Sequence, residues 1–484
     1  MNLNQLMKNV PVVASVGERN LEIADVQFDS RKVEKGHLFV ATVGTQVDGH
    51  SFIDKAIKQG ASAILCERLP EDPTPGITFL QVENTQRELS QVVANWYARP
   101  ADALTMIGIT GTNGKSTSVT LMHRLFQSLG MRSGLISTIV NKVGEEEYPS
   151  THTTPDPKQL HHLFAEMKET GCEYCFMEVS SHALDQHRVH GIDFHMAMFT
   201  NLTHDHLDYH QTFQEYLKAK KKLFDGLKSE AIALVNVDDK NGRVMVQNTS
   251  AKITTFGLKR MADYRAKVLE NTFEGLLMDI EEMETWFQLL GHFNAYNLLM
   301  VYAASRELGL GKQEVLMALS ALERVDGRFE VLRDTSRGIA GIVDYAHTPD
   351  ALKNVLSTLQ DILKNSGKIV TVVGCGGDRD RQKRPVMAKI ASDLSGQVIL
   401  TSDNPRSENP HQILEEMWEG IPVSARRGVL KIENRREAIR TASQLVQRGD
   451  VILVAGKGHE TYQEIEGVRH PFDDREVLRE TFHS

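Results

Sequence analysis

The chain has 484 residues, of which 41% are apolar and 25% charged, with a formal net charge of −9 and four cysteines. That length exceeds what one hydrophobic core organises and points to about three domains. The acidic balance gives no electrostatic ground for nucleic-acid binding, and Cys66, Cys172, Cys175 and Cys375 are too few for a disulfide framework. Met1 to Val13 lacks a charged segment followed by a long apolar stretch, and no apolar run is long enough to span a bilayer. The expected protein is therefore cytoplasmic, with no membrane insertion, and a monomer.

Residues 1–99 alternate short β-rich runs, Gly36 to Val43 and Ala61 to Cys66, with amphipathic Ile53 to Gln59, which reads as a small α/β domain. A helical stretch from Thr85 to Tyr97 stops at Arg99-Pro100, because proline disfavours a helical residue before it. A second domain, 100–332, opens at Leu104, and its apolar runs Met177 to Val179, Met196 to Phe199 and Ala231 to Val237 predict a mainly parallel sheet with crossover helices. Cys172 and Cys175 make a C-x-x-C inside an apolar run, with no second pair to complete a zinc site, and read as buried strand residues. After the helical Asn294 to Leu308 a third, Rossmann-like α/β domain spans 333–484. Its strands are expected at Gly341 to Tyr345, Ile369 to Gly374, Gln397 to Thr401 and Val451 to Ala455. The fold class is thus three-domain α/β, and ligands are expected at loops following the strands.

The most informative loop is Gly111-Thr112-Asn113-Gly114-Lys115-Ser116-Thr117, set between an apolar run and a helix. Glycines let backbone N–H groups approach phosphate, Lys115 can reach terminal phosphates, and Ser116 or Thr117 can ligate Mg²⁺. ATP and Mg²⁺ are the expected cofactors. Ile109 stands where the general P-loop pattern has its first glycine, which separates this loop from GTPase and motor loops. Downstream, Met177-Glu178-Val179-Ser180-Ser181-His182 ends an apolar run with a carboxylate, and Thr203 to His210 is rich in histidine; Glu178 and His206 are donors of the kind that could complete a Mg²⁺ shell. Taken alone, the His-rich segment is a hydrogen-bonded turn, and Lys218, Lys220, Lys221 and Lys222 are a solvated helix face.

The succession T-G-T-N-G-K-S-T, M-E-V-S-S-H-A-L-D-Q-H-R-V, N-L-T-H-D-H-L-D-Y-H and A-K-K-K-L-F resembles the Mur ligases, the amide-forming enzymes of peptidoglycan precursor synthesis. Within them it is similar to the MurE-type branch, which extends UDP-MurNAc-L-Ala-D-Glu, and the similarity runs over the whole chain. The resemblance implies an ATP-dependent carboxylate–amine ligase working through an acyl phosphate. It implies Lys115, Lys220 and His206 as catalytic residues, with Lys220 carbamylated, and Ser116, Glu178, His206 and Lys220 on the metal side. Asn294, Arg328 and His347 would join the loop in holding ATP. Ser30, Thr45, Gln46, Val47, Thr153, Thr154, Ser180, Gln186 and Arg188 would hold UDP-MurNAc-L-Ala-D-Glu.

Asp403-Asn404-Pro405-Arg406 matches the D-N-P-R tetrad of members that add meso-diaminopimelate, and Arg379, Gly456 and Glu460 match the remaining amine-side contacts. Diaminopimelate carries a distal ammonium–carboxylate pair where lysine has an ammonium alone, so a guanidinium for the extra carboxylate supplies discrimination. Folylpolyglutamate synthase is the nearest rival. Its loop typically reads G-K-G-S where Lys115 is followed directly by Ser116, and it lacks a UDP-binding first domain.

Overall fold

The structure is a computed structural model and describes residues 1–44, 47–364 and 366–482. Three sheets follow one another along the chain. The first orders its strands Ala14–Val16, Thr78–Gln81, Ala63–Cys66, Leu38–Val40 and Val26–Gln27, parallel except at the first pair. The helix Thr85–Trp96 packs its apolar side, including Leu89, Val92 and Val93, onto this sheet's core. Ala98 and Arg99 then take positive φ, and Pro100 opens a short 3-10 turn, so the chain leaves the first sheet at the proline.

The central sheet has eleven strands. Its parallel heart runs Lys252–Gly257, Ile232–Asn236, Met196–Phe199, Thr105–Thr110, Tyr174–Glu178 and Ser133–Ile136. All of these but Lys252–Gly257 are buried almost throughout, the continuous apolar pattern that a sheet covered on both faces requires. The helices Lys115–Ser128 and His292–Glu307 cover one face through Val119, Met122, Phe126, Leu298 and Val301. Antiparallel Val140–Val143 and Glu146–Pro149 extend one edge; on the other, Tyr264–Asn271 joins Lys252–Gly257 in parallel and then leads an antiparallel meander with Leu276–Ile280 and Met283–Phe287. Cys175 lies in a strand and Cys172 just ahead of it; both are buried free thiols, and burial pushes the Cys175 thiol up.

The third sheet orders Glu330–Asp334, Ile339–Asp344, Val451–Ala455, Ile369–Val373, Gln397–Leu400 and Val429–Lys431, parallel after its first pair. A separate hairpin, Tyr462–Ile465 with Val468–Pro471, stands beyond its last parallel strand. Parallel strands set every following loop at the same sheet edge, which brings the loops after Thr105–Thr110, Tyr174–Glu178, Ile339–Asp344, Ile369–Val373, Gln397–Leu400 and Val451–Ala455 to one place. No helix among the described residues is long and apolar enough to cross a membrane.

Candidate active site

A cavity of about 1130 Å³ lies between the central and third sheets. Of the residues expected at a site, Thr112 to Thr117, Glu178, His206, Thr153, Arg328, His347, Arg379, Asp403, Asn404, Arg406, Gly456 and Glu460 line it.

The loop at one end is shaped by its glycines. Gly114 sits at φ +89°, just ahead of the helix Lys115–Ser128, and a Cβ there would fall 2.5 Å from Asn297 Oδ1. Only glycine leaves room for the helix N-terminus to face an anion. Lys115 Nζ donates to the carbonyls of Gly111 (3.0 Å) and Thr112 (2.8 Å), and Lys220 Nζ, from the helix Phe213–Asp225, donates to the same Gly111 carbonyl at 2.8 Å. Burial, reinforced by the Lys115 charge, drives the Lys220 amine well below its ordinary value. The residue is 1% exposed with its nitrogen over the Tyr216 ring. Lys220 is therefore no solvated surface lysine but an amine sealed beneath the loop, where burial disfavours its charged form.

Glu178 ends its strand fully buried. Its Oε1 accepts from the Thr138 amide at 2.8 Å, while Oε2 is buried without a partner. An unpaired buried carboxylate oxygen is costly unless a cation or donor completes it. His206 is pushed down to about 3, chiefly by burial and then by His182, Lys220 and Lys115 against the pull of Asp205 3.3 Å away, so its ring is neutral and able to ligate. Among the described residues there is no group of three or more His, Cys, Asp or Glu side chains that could hold a metal alone. A hydroxyl, a carboxylate and a neutral imidazole around a phosphate loop fit a Mg²⁺ whose shell is completed by nucleotide oxygens, the usual habit of that ion.

The third domain and the segment leading into it reach directly to the loop and its neighbours. Arg328 Nη2 donates to Ser116 Oγ at 3.1 Å while its guanidinium stacks on Tyr345, and Arg328 Nε is buried without a partner. Asn113 Nδ2 donates to Asp350 Oδ2 at 3.0 Å, and His204 Nε2 pairs with Asp380 at 2.9 Å. Asn294 lies one layer behind the cavity: its amide donates to Leu290 O and its Oδ1 accepts from Asn297. The cavity wall at this point is Asn297, with Phe256, Leu258, Val268, Tyr296 and Met300 forming a mainly apolar recess of a kind that fits a nucleobase. The sequence reading did not single out Phe256, Leu258, Val268 and Met300, which come from three different elements and the chain between them and form no motif.

Thr154, Ser180, Gln186 and Arg188 form a connected group beside the cavity without lining it. The Ser180 amide donates to Thr154 Oγ1 at 3.0 Å, Arg188 Nη1 to Thr154 O at 2.7 Å, and Arg188 Nε and Nη2 both to Gln186 Oε1. Ser30 and Val47 lie in the first domain away from the cavity, Ser30 buried and Val47 54% exposed. Thr45 and Gln46 lie outside the described residues.

At the far end, Arg406 adopts φ +51° and donates to Gly377 O at 2.6 Å, and Arg379 donates to Asp378 O at 3.0 Å. Pro405 lies behind the wall that its neighbours form. Gly456 sits at φ +115°, where a Cβ would be 2.6 Å from Asp403 Oδ2. Glu460 Oε2 accepts from Asn404 Nδ2 at 2.8 Å. Two guanidinium groups, two carboxylates and an amide on one wall can hold a small molecule bearing both signs of charge.

Comparison with known proteins agrees along the whole chain. Family models described as Mur ligase family, catalytic domain, as Mur ligase middle domain and as Mur ligase, glutamate ligase domain match residues 22–97, 109–305 and 327–458. The UDP-N-acetylmuramoyl-L-alanyl-D-glutamate--2,6-diaminopimelate ligase of Cytophaga hutchinsonii is 52% identical over 99% of both chains. A solved structure of a ligase with the same description superposes with a TM-score of 0.69 at 35% identity, covering 99% of this chain and 98% of that one. Folylpolyglutamate synthase from Mycobacterium tuberculosis shares the fold at 17% identity and a TM-score of 0.59, over 76% of this chain and 92% of its own. With the phosphate loop, the unpaired Glu178 carboxylate and the amine-side charges on one cavity, Lys220 beneath it, and relatives matched end to end, the chain belongs to the Mur ligase family.

Proposed function

We propose that this protein is the ATP-dependent ligase that joins meso-diaminopimelate to UDP-MurNAc-L-Ala-D-Glu in cytoplasmic peptidoglycan precursor synthesis. The observation that carries the reading is the shared cavity, with Lys115 at one end and Arg379, Arg406 and Glu460 at the other. We assign residues 1–99 to the uridine-nucleotide end of the substrate, 100–332 to ATP and 333–484 to the incoming amino acid, in a chain working as a monomer.

A carboxylate does not react with an amine, and when bound, MgATP supplies the γ-phosphoryl that converts the D-Glu carboxylate to an acyl phosphate. The chain's residues then act by position and charge. Lys115 offers its ammonium where negative charge accumulates, and Arg328, tied to Ser116, presents a second cation from the segment that leads into the third domain. Glu178 and His206 hold the metal side. Burial disfavours the charged form of Lys220 and so favours the free amine that takes up CO2 with loss of a proton; as a carbamate it would add a carboxylate-like ligand beside Glu178. Arg188, braced by Gln186, steers the dipeptide, while Thr153 Oγ1, which accepts from Thr138 at 3.0 Å, borders the reacting end. Arg406 and Arg379 hold the distal carboxylate of diaminopimelate, and Asp403 and Glu460 its ammonium.

The experiment is phosphate release from ATP with purified UDP-MurNAc-L-Ala-D-Glu, with and without diaminopimelate. Sustained release that needs the amine is expected; release indifferent to the amine would contradict the reading.

A further inference from the structure

The amine end of the cavity is underlain by a cation that does not line it. Lys457 is 0% exposed, in the loop between the strand Val451–Ala455 and the hairpin. Its Nζ donates to Asn404 Oδ1 at 3.0 Å and to Glu460 Oε2 at 2.9 Å, and lies 3.9 Å from Asp403 Oδ1. Glu460 Oε2 also accepts from Asn404, so both interactions of that oxygen are internal, leaving Oε1 as the oxygen without a protein partner among the described residues. Asn404 Oδ1 further accepts the Glu464 amide at 2.9 Å, which fastens the hairpin to the tetrad. A buried ammonium shared by two carboxylates and an amide is costly to leave unpaired on either side, and such a network holds its members in one arrangement.

We propose that Lys457 is a positioning residue for the amine substrate: its buried ammonium fixes Asn404 and Glu460 relative to Asp403 and holds two neighbouring carboxylates ready for the distal ammonium. The inference rests on the diaminopimelate reading of this site and adds to it the residue that sets the wall's charge and shape.

The consequence has a sign. Burial pushes the Glu460 carboxyl above its ordinary value, Lys457 pulls it back, and Asp403 pushes it further up. Facing these groups are Arg406 from the tetrad, Tyr345 from the loop after Ile339–Asp344, Arg435 from the helix Arg435–Leu445, Tyr462 from the hairpin, and His459 beside Glu460. Without Lys457, burial and Asp403 are opposed mainly by the weaker Asn404 hydrogen bond, Glu460 keeps its proton to higher pH, and a protonated carboxyl no longer attracts an ammonium.

The test compares wild type, Lys457→Met, Lys457→Arg, Glu460→Gln and the Lys457→Met/Glu460→Gln double variant in full-length protein, with kinetics from about pH 6 to about pH 9. Lys457→Met should raise the KM for diaminopimelate at least about 30-fold at neutral pH, with the KM for ATP unchanged. The acid limb of its kcat/KM profile for diaminopimelate should move to higher pH, so that the deficit narrows as pH rises. In the Glu460→Gln background the same substitution should not move that limb. Lys457→Arg, which keeps the charge and changes the geometry, should raise KM without displacing the limb, and serves if the Met variant does not fold. A deficit equal at all pH values, one shared with ATP, or a limb displaced in Lys457→Arg would overturn the proposal. A wild-type enzyme that does not take diaminopimelate would remove the substrate reading and this inference together; a wild type that takes it beside an unaffected Lys457→Met would remove the inference alone.

Discussion

The two ends of the cavity bind charge by different means. At the nucleotide end the loop Gly111 to Thr117 works through backbone: Gly114 permits the close approach, the helix N-terminus faces the cavity, and Lys115 rests on carbonyls of its own loop. At the amine end the wall is side chains braced by side chains, with Lys457 beneath Asn404 and Glu460 and Arg406 tied to Gly377. A backbone cradle accepts any polyphosphate of the right shape, whereas a wall of paired charges recognises one pattern of charge. The nucleotide end should therefore control whether reaction occurs, and the amine end which molecule is used.

The largest effect that separates them is expected from Lys115→Ala, which should lower kcat by about 10³-fold or more for every amine offered, because it removes a preorganised charge from the developing negative centre. The melting temperature should change little; appreciable turnover in the folded variant would break the assignment of this end. Lys220→Ala should lose most activity and recover part of it with added short carboxylic acids, which can stand in for a carbamate. A fully active enzyme whose intact mass shows unmodified Lys220 would refute that role.

Arg406→Ala should act at the other end only. Leaving the distal carboxylate unpaired in a desolvated wall costs on the order of 2–5 kcal/mol, a drop of at least about 30-fold in kcat/KM for diaminopimelate. The KM for ATP should hold and the gap to L-lysine should narrow; an unaltered ratio of the two amines would show that the wall does not select.

The smallest effect belongs to the seam between the ends. Burial raises the Asp344 carboxyl to about 6 against the pull of Arg328, and its Oδ2 accepts the Phe329 amide at 2.7 Å. A raised carboxylate value means the folded state binds the extra proton, so this contribution is present below about pH 4 and is lost as pH rises through about 6, amounting to about 3 kcal/mol at most. Asp344→Asn should accordingly melt higher than wild type near neutral pH and lose that advantage toward pH ~4. A difference in melting temperature that does not vary with pH would contradict it.

Legibility in the sequence followed the same division. The strands Met196–Phe199 and Val451–Ala455 and the helix Ile53–Gln59 stand where apolar period and flanking turns put them, because a buried parallel strand or an amphipathic helix is a local pattern. The sequence reading did not pick out the meander Tyr264–Phe287, and the place of its first strand in walling the recess depends on pairing at the sheet edge, which no local pattern announces. Glycine and lysine in the phosphate loop announce themselves by spacing. Asn294 looked like a contact residue and lies behind Asn297, since a helix turn separates which of two nearby amides reaches the cavity. Taken by its residues alone Lys220 is one of four lysines on a wet helix; the family resemblance singled it out, and its packing under Gly111 against Tyr216 is what no local pattern could announce. Lys457 and Asp350 belong to conspicuous segments, but their partners Asn404 and Asn113 are distant in sequence, and no spacing rule joins them.

The most direct test of one cavity with a nucleotide end and a selective amine end is a competition. Wild-type enzyme is given ATP, Mg²⁺ and UDP-MurNAc-L-Ala-D-Glu with equal amounts of meso-diaminopimelate and L-lysine, and the products are resolved by mass alongside the phosphate released. The account predicts the diaminopimelate adduct almost alone, with one phosphate per adduct formed. A predominant lysine adduct, or phosphate released without any adduct, would contradict it.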